Sequence, residues 1–165
     1  LLDNIKKMPY SHQFVYIFFC LFLACNSEAQ KKSNFKIQKT EAEWKSQLTD
    51  LQYYVMRKQG TERAFSSPYD KNFLQGTYVC AACENPLFSS DHKFNSGTGW
   101  PSFDREIKGN VSFSVDYNIG MARTEEHCSN CGGHLGHMFS DGPRKTTGKR
   151  HCINGASLKF IASNE

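Results

Sequence analysis

The sequence predicts a mainly β protein: two packed antiparallel sheets, short helices at the N-terminal side, and a metal site that staples them. Three observations carry this. From Gly76 onward, short runs rich in Val, Ile, Phe and Tyr alternate with clusters of Gly, Asn and Asp. No long helical pattern separates those runs, which argues against a parallel α/β sheet. Finally, Cys80-x-x-Cys83 and Cys128-x-x-Cys131 repeat one spacing.

The elements follow in chain order. Phe14 to Ala24 is an apolar run, too short to span a bilayer as a helix but suited to the core of an export signal, with Lys6 and Lys7 before it. The chain opens on Leu1, and Met8 is a possible start. Phe22-Leu23-Ala24-Cys25 resembles a bacterial lipoprotein box, with Cys25 as the lipidated residue. Cleaved secretion and an uncleaved anchor are the alternatives. The sequence thus divides into an export-type segment (1–25), a polar tether (26–39) and one domain (40–165), and the expected location is the periplasm or the membrane face of a bacterial envelope. The basic run Lys31 to Lys39 reads as a solvated linker.

Thr40-x-x-Glu43 is a capping box, followed by Trp44 and Leu48 on one helical face. Thr49-x-x-Gln52 repeats it, with Leu51, Tyr54, Val55 and Lys58 continuing a second helix that Gly60 would stop. Trp44, Tyr54 and Val55 read as helix-to-core packing. Expected strands are Thr77 to Val79, Val111 to Val115, Met121 to Thr124, His137 to Phe139, Arg150 to Ile153 and Leu158 to Ile161. Turns are expected at Ser96-Gly97-Thr98-Gly99, Lys108-Gly109-Asn110, Ser140-Asp141-Gly142-Pro143 and Thr147-Gly148. A net charge of +4 is too mild to argue for nucleic acid, and no basic helix or aromatic-interleaved patch supports it.

Two residues between cysteines let both thiolates of a tight turn face one ion, and two such turns close a four-sulfur zinc shell with no position for substrate. Cys80, Cys83, Cys128 and Cys131 are therefore candidate structural zinc ligands. The glycines after Cys131 suit a backbone that turns under the metal. Disulfides or redox CxxC pairs are the alternative, favoured by an oxidising compartment. A redox pair usually opens a helix, and Asn85-Pro86 and Gly132-Gly133 discourage one.

Of seven cysteines, Cys152 remains outside both the pairs and the export segment. A small buried hydrophobe is its bland role. Lys149, Arg150 and His151 instead place positive charge beside it, which favours a reactive thiolate, and Asn154 falls on its face of a strand. His134-Leu135-Gly136-His137 brings two histidines together if Gly136 lets the segment turn. They would bind and protonate an oxygen, or pack as core histidines; no cysteine or carboxylate nearby in sequence completes a second metal site. Trp100, on a glycine-rich loop, offers an aromatic wall or a core ring.

Cys80-x-x-Cys83, Ser96-Gly97-Thr98-Gly99-Trp100-Pro101-Ser102-Phe103, Cys128-x-x-Cys131-Gly132-Gly133-His134-Leu135-Gly136-His137-Met138-Phe139, Asp141-Gly142-Pro143 and Arg150-His151-Cys152-Ile153-Asn154-Gly155-Ala156-Ser157-Leu158 resemble peptide methionine-R-sulfoxide reductases of the B type over about residues 40 to 162. The resemblance implies two antiparallel sheets, structural zinc on the paired cysteines, and repair of free or protein-bound methionine R-sulfoxide. It implies Cys152 as nucleophile passing through a sulfenic acid, His134 and His137 as proton donors to the oxygen, and Asn154 as a positioning residue. Trp100 and Phe139 would form the wall around the methyl group. Many members carry a resolving cysteine where this chain has Thr98, so an external thiol, such as thioredoxin or a similar protein, is the implied reductant. His151 stands where Tyr or Phe is common, and Gly155 replaces a usual serine, a small change on the sequence alone.

Overall fold

The computed structural model describes residues 35–163. The export-type segment with Cys20 and Cys25, and most of the expected tether, lie outside the described residues. Residues 35–39 run along the second cysteine knuckle: the Ile37 N–H donates to the Asn130 carbonyl at 2.9 Å, and the Phe35 ring lies over Gly132.

Both expected capping boxes form. Thr40 caps α1 (Glu41–Gln47) and Thr49 caps α2 (Asp50–Lys58), each with the reciprocal bond from its N3 residue. Each threonine cap is worth about 1 kcal/mol. Trp44 and Leu48 are buried as expected, and the Arg57 guanidinium covers the Trp44 ring at 4.9 Å. The face of α2 differs from expectation. Tyr53, Val55 and Met56 turn inward, whereas Tyr54 is 52% exposed. Gln59, with φ 54°, takes the left-handed position that ends α2, and Gly60 follows it with its N–H on the Tyr54 carbonyl. A side chain at Gly60 would strike the Tyr54 ring, so that ring is what requires glycine there.

Among the described residues nine strands follow: β1 (Gly76–Cys80), β2 (Pro86–Ser89), β3 (Lys93–Phe94), β4 (Ser102–Phe103), β5 (Val111–Asp116), β6 (Arg123–Cys128), β7 (His134–Phe139), β8 (Arg150–Ile153) and β9 (Leu158–Ala162). They make two antiparallel sheets, β2-β1-β9 and β3-β4-β8-β7-β6-β5. The core between them is aromatic. Phe88 stacks on Phe103 at 4.4 Å, and Tyr78 meets Phe103 edge-on at 5.0 Å and Phe160 at 4.9 Å. Such pairs add about 0.5–1.5 kcal/mol each beyond area burial.

β2, β3 and β4 were not expected: β3 and β4 are two residues long and carry no readable alternation, and β2 opens on Pro86, which reads as a break in a strand. β6 starts at Arg123 rather than Met121. Asp116 accepts the Asn118 N–H, Gly120 turns at φ 80°, and the hairpin tip occupies the preceding residues.

β7 carries the site's main structural device. Glu126 pairs with Gly136 and His127 pairs with His134, so Leu135 is an extra residue, a β-bulge. Three residues apart on a regular strand, His134 and His137 would face opposite sides. The bulge shifts the phase, and their rings stand 5.5 Å apart. The segment therefore brings the histidines together by bulging, not by turning at Gly136. Gly136 serves another end: a Cβ there would lie 2.0 Å from the Cys152 carbonyl oxygen, so glycine lets β7 and β8 pass closely at Cys152.

Candidate active site and metal centre

The two knuckles are built alike. Cys80 ends β1 and Cys128 ends β6. The carbonyl of Cys80 accepts from Glu84 and that of Cys128 from Gly132, both at 2.8 Å; the Cys80 N–H donates to Asn85 and the Cys128 N–H to Gly133. The fifth residue of each loop is left-handed, Glu84 at φ 60° and Gly132 at φ 69°. Sulfurs pair across the knuckles, Cys80 with Cys131 at 3.7 Å and Cys83 with Cys128 at 3.5 Å, and all four lie within 4.8 Å of one another. Four sulfurs at zinc–sulfur bond length sit at tetrahedron edges of about 3.8 Å. Thiol–thiol hydrogen bonds within the cluster push Cys80 and Cys131 far up and Cys128 and Cys83 down, so the four sulfurs share their protons unequally, and the cluster suits a soft divalent cation that takes the protons' place. Asn85 Nδ2 reaches the Cys128 sulfur at 3.6 Å and the Asn110 carbonyl at 3.1 Å. The residues present are positioned to hold a metal ion.

At the middle of the larger sheet, Cys152 on β8 opens into a cavity of about 160 Å³ with Thr61, Trp100, Arg123, Gly136, His137, Phe139 and Asn154. Burial pushes the Cys152 thiol up, against the opposing pull of the Arg150 guanidinium and the Thr98 hydroxyl. Of the flanking bases expected to charge the site, Arg150 does so. Its guanidinium is fixed by two bonds of 2.9 Å to Asp141 and lies 4.4 Å from the Phe139 ring centroid. Lys149 is exposed. His151 turns to the opposite face, fully buried, with Nδ1 at 2.5 Å from Glu126, so it is neither exposed nor beside the thiol. Strand alternation puts neighbours on opposite faces, and that signal was in the sequence.

The structure brings Cys152, Trp100, His137, Phe139 and Asn154 to one cavity, while His134 stands behind His137. Each histidine has a carboxylate. His134 Nδ1 is 2.6 Å from Glu125, and His137 Nε2 is 2.8 Å from Asp116, which also binds Arg123. A carboxylate does therefore stand beside the histidine pair, contrary to expectation. Burial would raise Glu125, but the hydrogen bonds and charges of His127 and His134 outweigh it and hold the carboxyl far below the usual range. Asp116 is held low by the Asn118 N–H first and His137 next. Burial lowers His137, with Asp116 opposing, so its imidazole is largely neutral near pH 7.

Glu62 is a further residue that the sequence reading missed. Its buried carboxylate accepts the N–H groups of Gly155 and Ala156 at 2.5 and 2.8 Å, and its own carbonyl accepts Trp100 Nε1 at 3.2 Å. Its N–H donates to Asn154 Oδ1 at 3.0 Å, while Asn154 Nδ2 donates to the Leu135 carbonyl at the bulge. Asn154 thus spends its side chain on backbone, tying the Glu62 segment to the bulge. Gly155 is no small change: a Cβ there would lie 1.9 Å from Ser67 Oγ. No local pattern in the sequence marks Glu62.

Thr98 lies beside Cys152, and its Oγ1 joins Ser96 at 2.8 Å, which joins Ser102 at 2.7 Å. Among the described residues, the other cysteines are the four of the tetrad.

Residues 48–162 match the SelR domain model. The chain is 56% identical over 128 residues to a protein of Leptospira interrogans named peptide methionine sulfoxide reductase MsrB, covering 77% of this chain and 97% of that one. It is 52% identical to a protein of the same name from Agrobacterium fabrum (76% of this chain, 93% of that one) and 50% identical to one from Chromohalobacter salexigens (76% and 95%).

Proposed function

The chain belongs to the SelR-domain family of B-type peptide methionine sulfoxide reductases, and from that premise we propose that it reduces methionine R-sulfoxide, free or in proteins, through a sulfenic acid on Cys152. The observation that carries this is the cavity in which one thiol faces Trp100, Phe139 and His137. The Cys152 thiolate attacks the sulfoxide sulfur. Oxygen passes to Cys152, giving Cys–SOH, and the substrate leaves as the thioether. The substrate gains two electrons and the cysteine sulfur loses two. Reducing the sulfenic acid takes two external thiols: the first forms a mixed disulfide and releases water, the second frees Cys152 as thiol.

His137 lines the cavity; neutral at rest, it takes the Cys152 proton and passes it to the oxygen as S–O polarity grows, with Asp116 holding its ring; His134, held by Glu125, supports it from behind. Trp100 and Phe139 give the methyl group an apolar seat, and an apolar seat on one side of the sulfur is what separates R from S. Burial holds the free Cys152 thiol up, the Arg150 guanidinium fixed on Asp141 pulls the other way, and the neutral His137 imidazole in the same cavity receives the proton as the thiolate forms. With no second thiol beside Cys152 among the described residues, the reductant is an external thiol such as thioredoxin or a similar protein. Zinc is the metal we assign to the tetrad, from its four sulfurs and their spacing; bound there it staples β1 to β6 and takes no part in the chemistry.

On the sequence alone, we also propose that residues 1–25 direct export and that Cys25 carries lipid; mass spectrometry of the mature N-terminus from the native cell tests this. The activity is tested with a dabsylated methionine sulfoxide whose R and S epimers are assayed apart. The reading expects turnover of R alone and its loss in Cys152→Ser. Turnover of S would refute the stereochemical assignment, and full activity in Cys152→Ser would refute the nucleophile.

A further inference from the structure

The hairpin joining β5 to β6 is exposed and apolar. Val115, Tyr117, Ile119 and Met121 each expose 60% or more of their surface, and β5 is the outer strand of its sheet. Below the hairpin lies a groove of about 620 Å³, lined chiefly by Ile119, Met121, Met138 and Phe139 and rimmed by Lys149. It continues the catalytic cavity, for Arg123 and Phe139 line both. A contiguous apolar surface of this kind costs solubility and marks a binding face.

Resting on the activity proposed above, we infer that this groove holds the polypeptide flanking an oxidised methionine, with a preference for an apolar side chain two residues from it. The occupant follows from continuity and chain geometry. A methionine side chain inserted beside Cys152 leaves its backbone at the rim shared with the groove. An extended chain advances about 3.3–3.6 Å per residue and returns to the same face every second residue. The second residue along therefore falls over Ile119 and Met121. Lys149 stands at the rim of the groove, so a basic side chain in that position is repelled. The root of the hairpin is Asp116, which binds both Arg123 and His137, so an occupant of the groove sits one residue layer from the proposed proton donor.

The test uses the full chain, an excess of dithiothreitol, and synthetic peptides with one methionine R-sulfoxide among glycines, carrying Leu or Lys two residues to either side. With Leu on one of the two sides, kcat/KM rises about tenfold over the glycine peptide, the worth of roughly half a buried leucine. The double variant Ile119→Lys and Met121→Lys erases the gain and leaves the glycine peptide unchanged. Equal rates for all peptides, or a gain that survives the double variant, overturns the inference. So does an equal loss on every peptide, which would make the hairpin a support of the fold. A dimer by sedimentation that the double variant splits without altering peptide preference assigns the face to a second copy and likewise overturns it. If the wild type turns over no peptide at all, the proposed activity fails, which is a different result.

Discussion

Four thiols at the knuckles and one on β8 stand in two different surroundings. In the tetrad each sulfur faces three others, and among the described residues no cationic side chain bonds to a sulfur there. A bound cation would relieve that crowding and make the cluster a staple. Cys152 faces one guanidinium, one hydroxyl and an open cavity. Its thiolate is costly but attainable, which is the setting the proposed nucleophile requires. Neighbours and burial both separate the two settings: Cys80, Cys128 and Cys131 are buried, whereas Cys152 is partly open.

The largest effects come from exchanging single cysteines. Cys152→Ser is expected to lower turnover more than about 10³-fold while leaving metal content and thermal unfolding unchanged. Cys128→Ser does the reverse in origin: metal content by emission spectroscopy falls, and stability falls by about 3 kcal/mol or more, because the metal's binding energy is folding energy. If Cys128→Ser kept its metal and its unfolding temperature, the staple would not be the tetrad.

Next comes the frame around Cys152. Glu62→Ala removes the acceptor of two backbone N–H groups and frees the segment that holds Trp100 and Asn154. The expected result is about 2–3 kcal/mol of lost stability and roughly 10²-fold lower kcat/KM. A variant that unfolds earlier yet keeps full kcat/KM would make Glu62 a support of the fold alone.

Glu125→Gln tests the carboxylate behind His134. Its folded carboxyl is held below the ordinary value of 4.5, so its contribution to stability is in place above that pH and disappears as the pH falls toward the folded value. The variant is expected to be less stable than wild type at pH 7 and equal to it in strong acid, with kcat/KM about tenfold lower at pH 7. Chemical unfolding at several pH values reads this. A deficit that grew in acid would contradict it.

The smallest effect lies back in the knuckles. Glu84 holds a left-handed φ of 60° that its counterpart Gly132 adopts freely, and it pairs with exposed Lys159. Glu84→Gly is expected to shift stability by no more than about 1 kcal/mol, toward greater stability, with metal affinity unchanged. A larger loss would show that the Lys159 pair matters more than the backbone.

What the sequence made legible was local. The capping boxes at Thr40 and Thr49, the CxxC spacings and the odd Cys152 are short-range patterns. The histidine pair was visible too, but its means of convergence was not, since a bulge at Leu135 depends on how β6 pairs with β7. Tyr54 was misplaced because Tyr53 beside it reads the same by composition, and only the docking of α2 on β7 decides between them. Glu62, Asp116 and Glu125 were silent for a simpler reason. A single carboxylate has no signature until the fold sets a histidine or a row of N–H groups before it.

The central claim is that Cys152 acts alone among the protein's thiols. Mass spectrometry of the full chain after one turnover of methionine R-sulfoxide, without reductant, tests it most directly. The account predicts one methionine released per chain, one oxygen added at Cys152, and the tetrad still holding its metal. A disulfide between Cys152 and any other cysteine of the chain would contradict it.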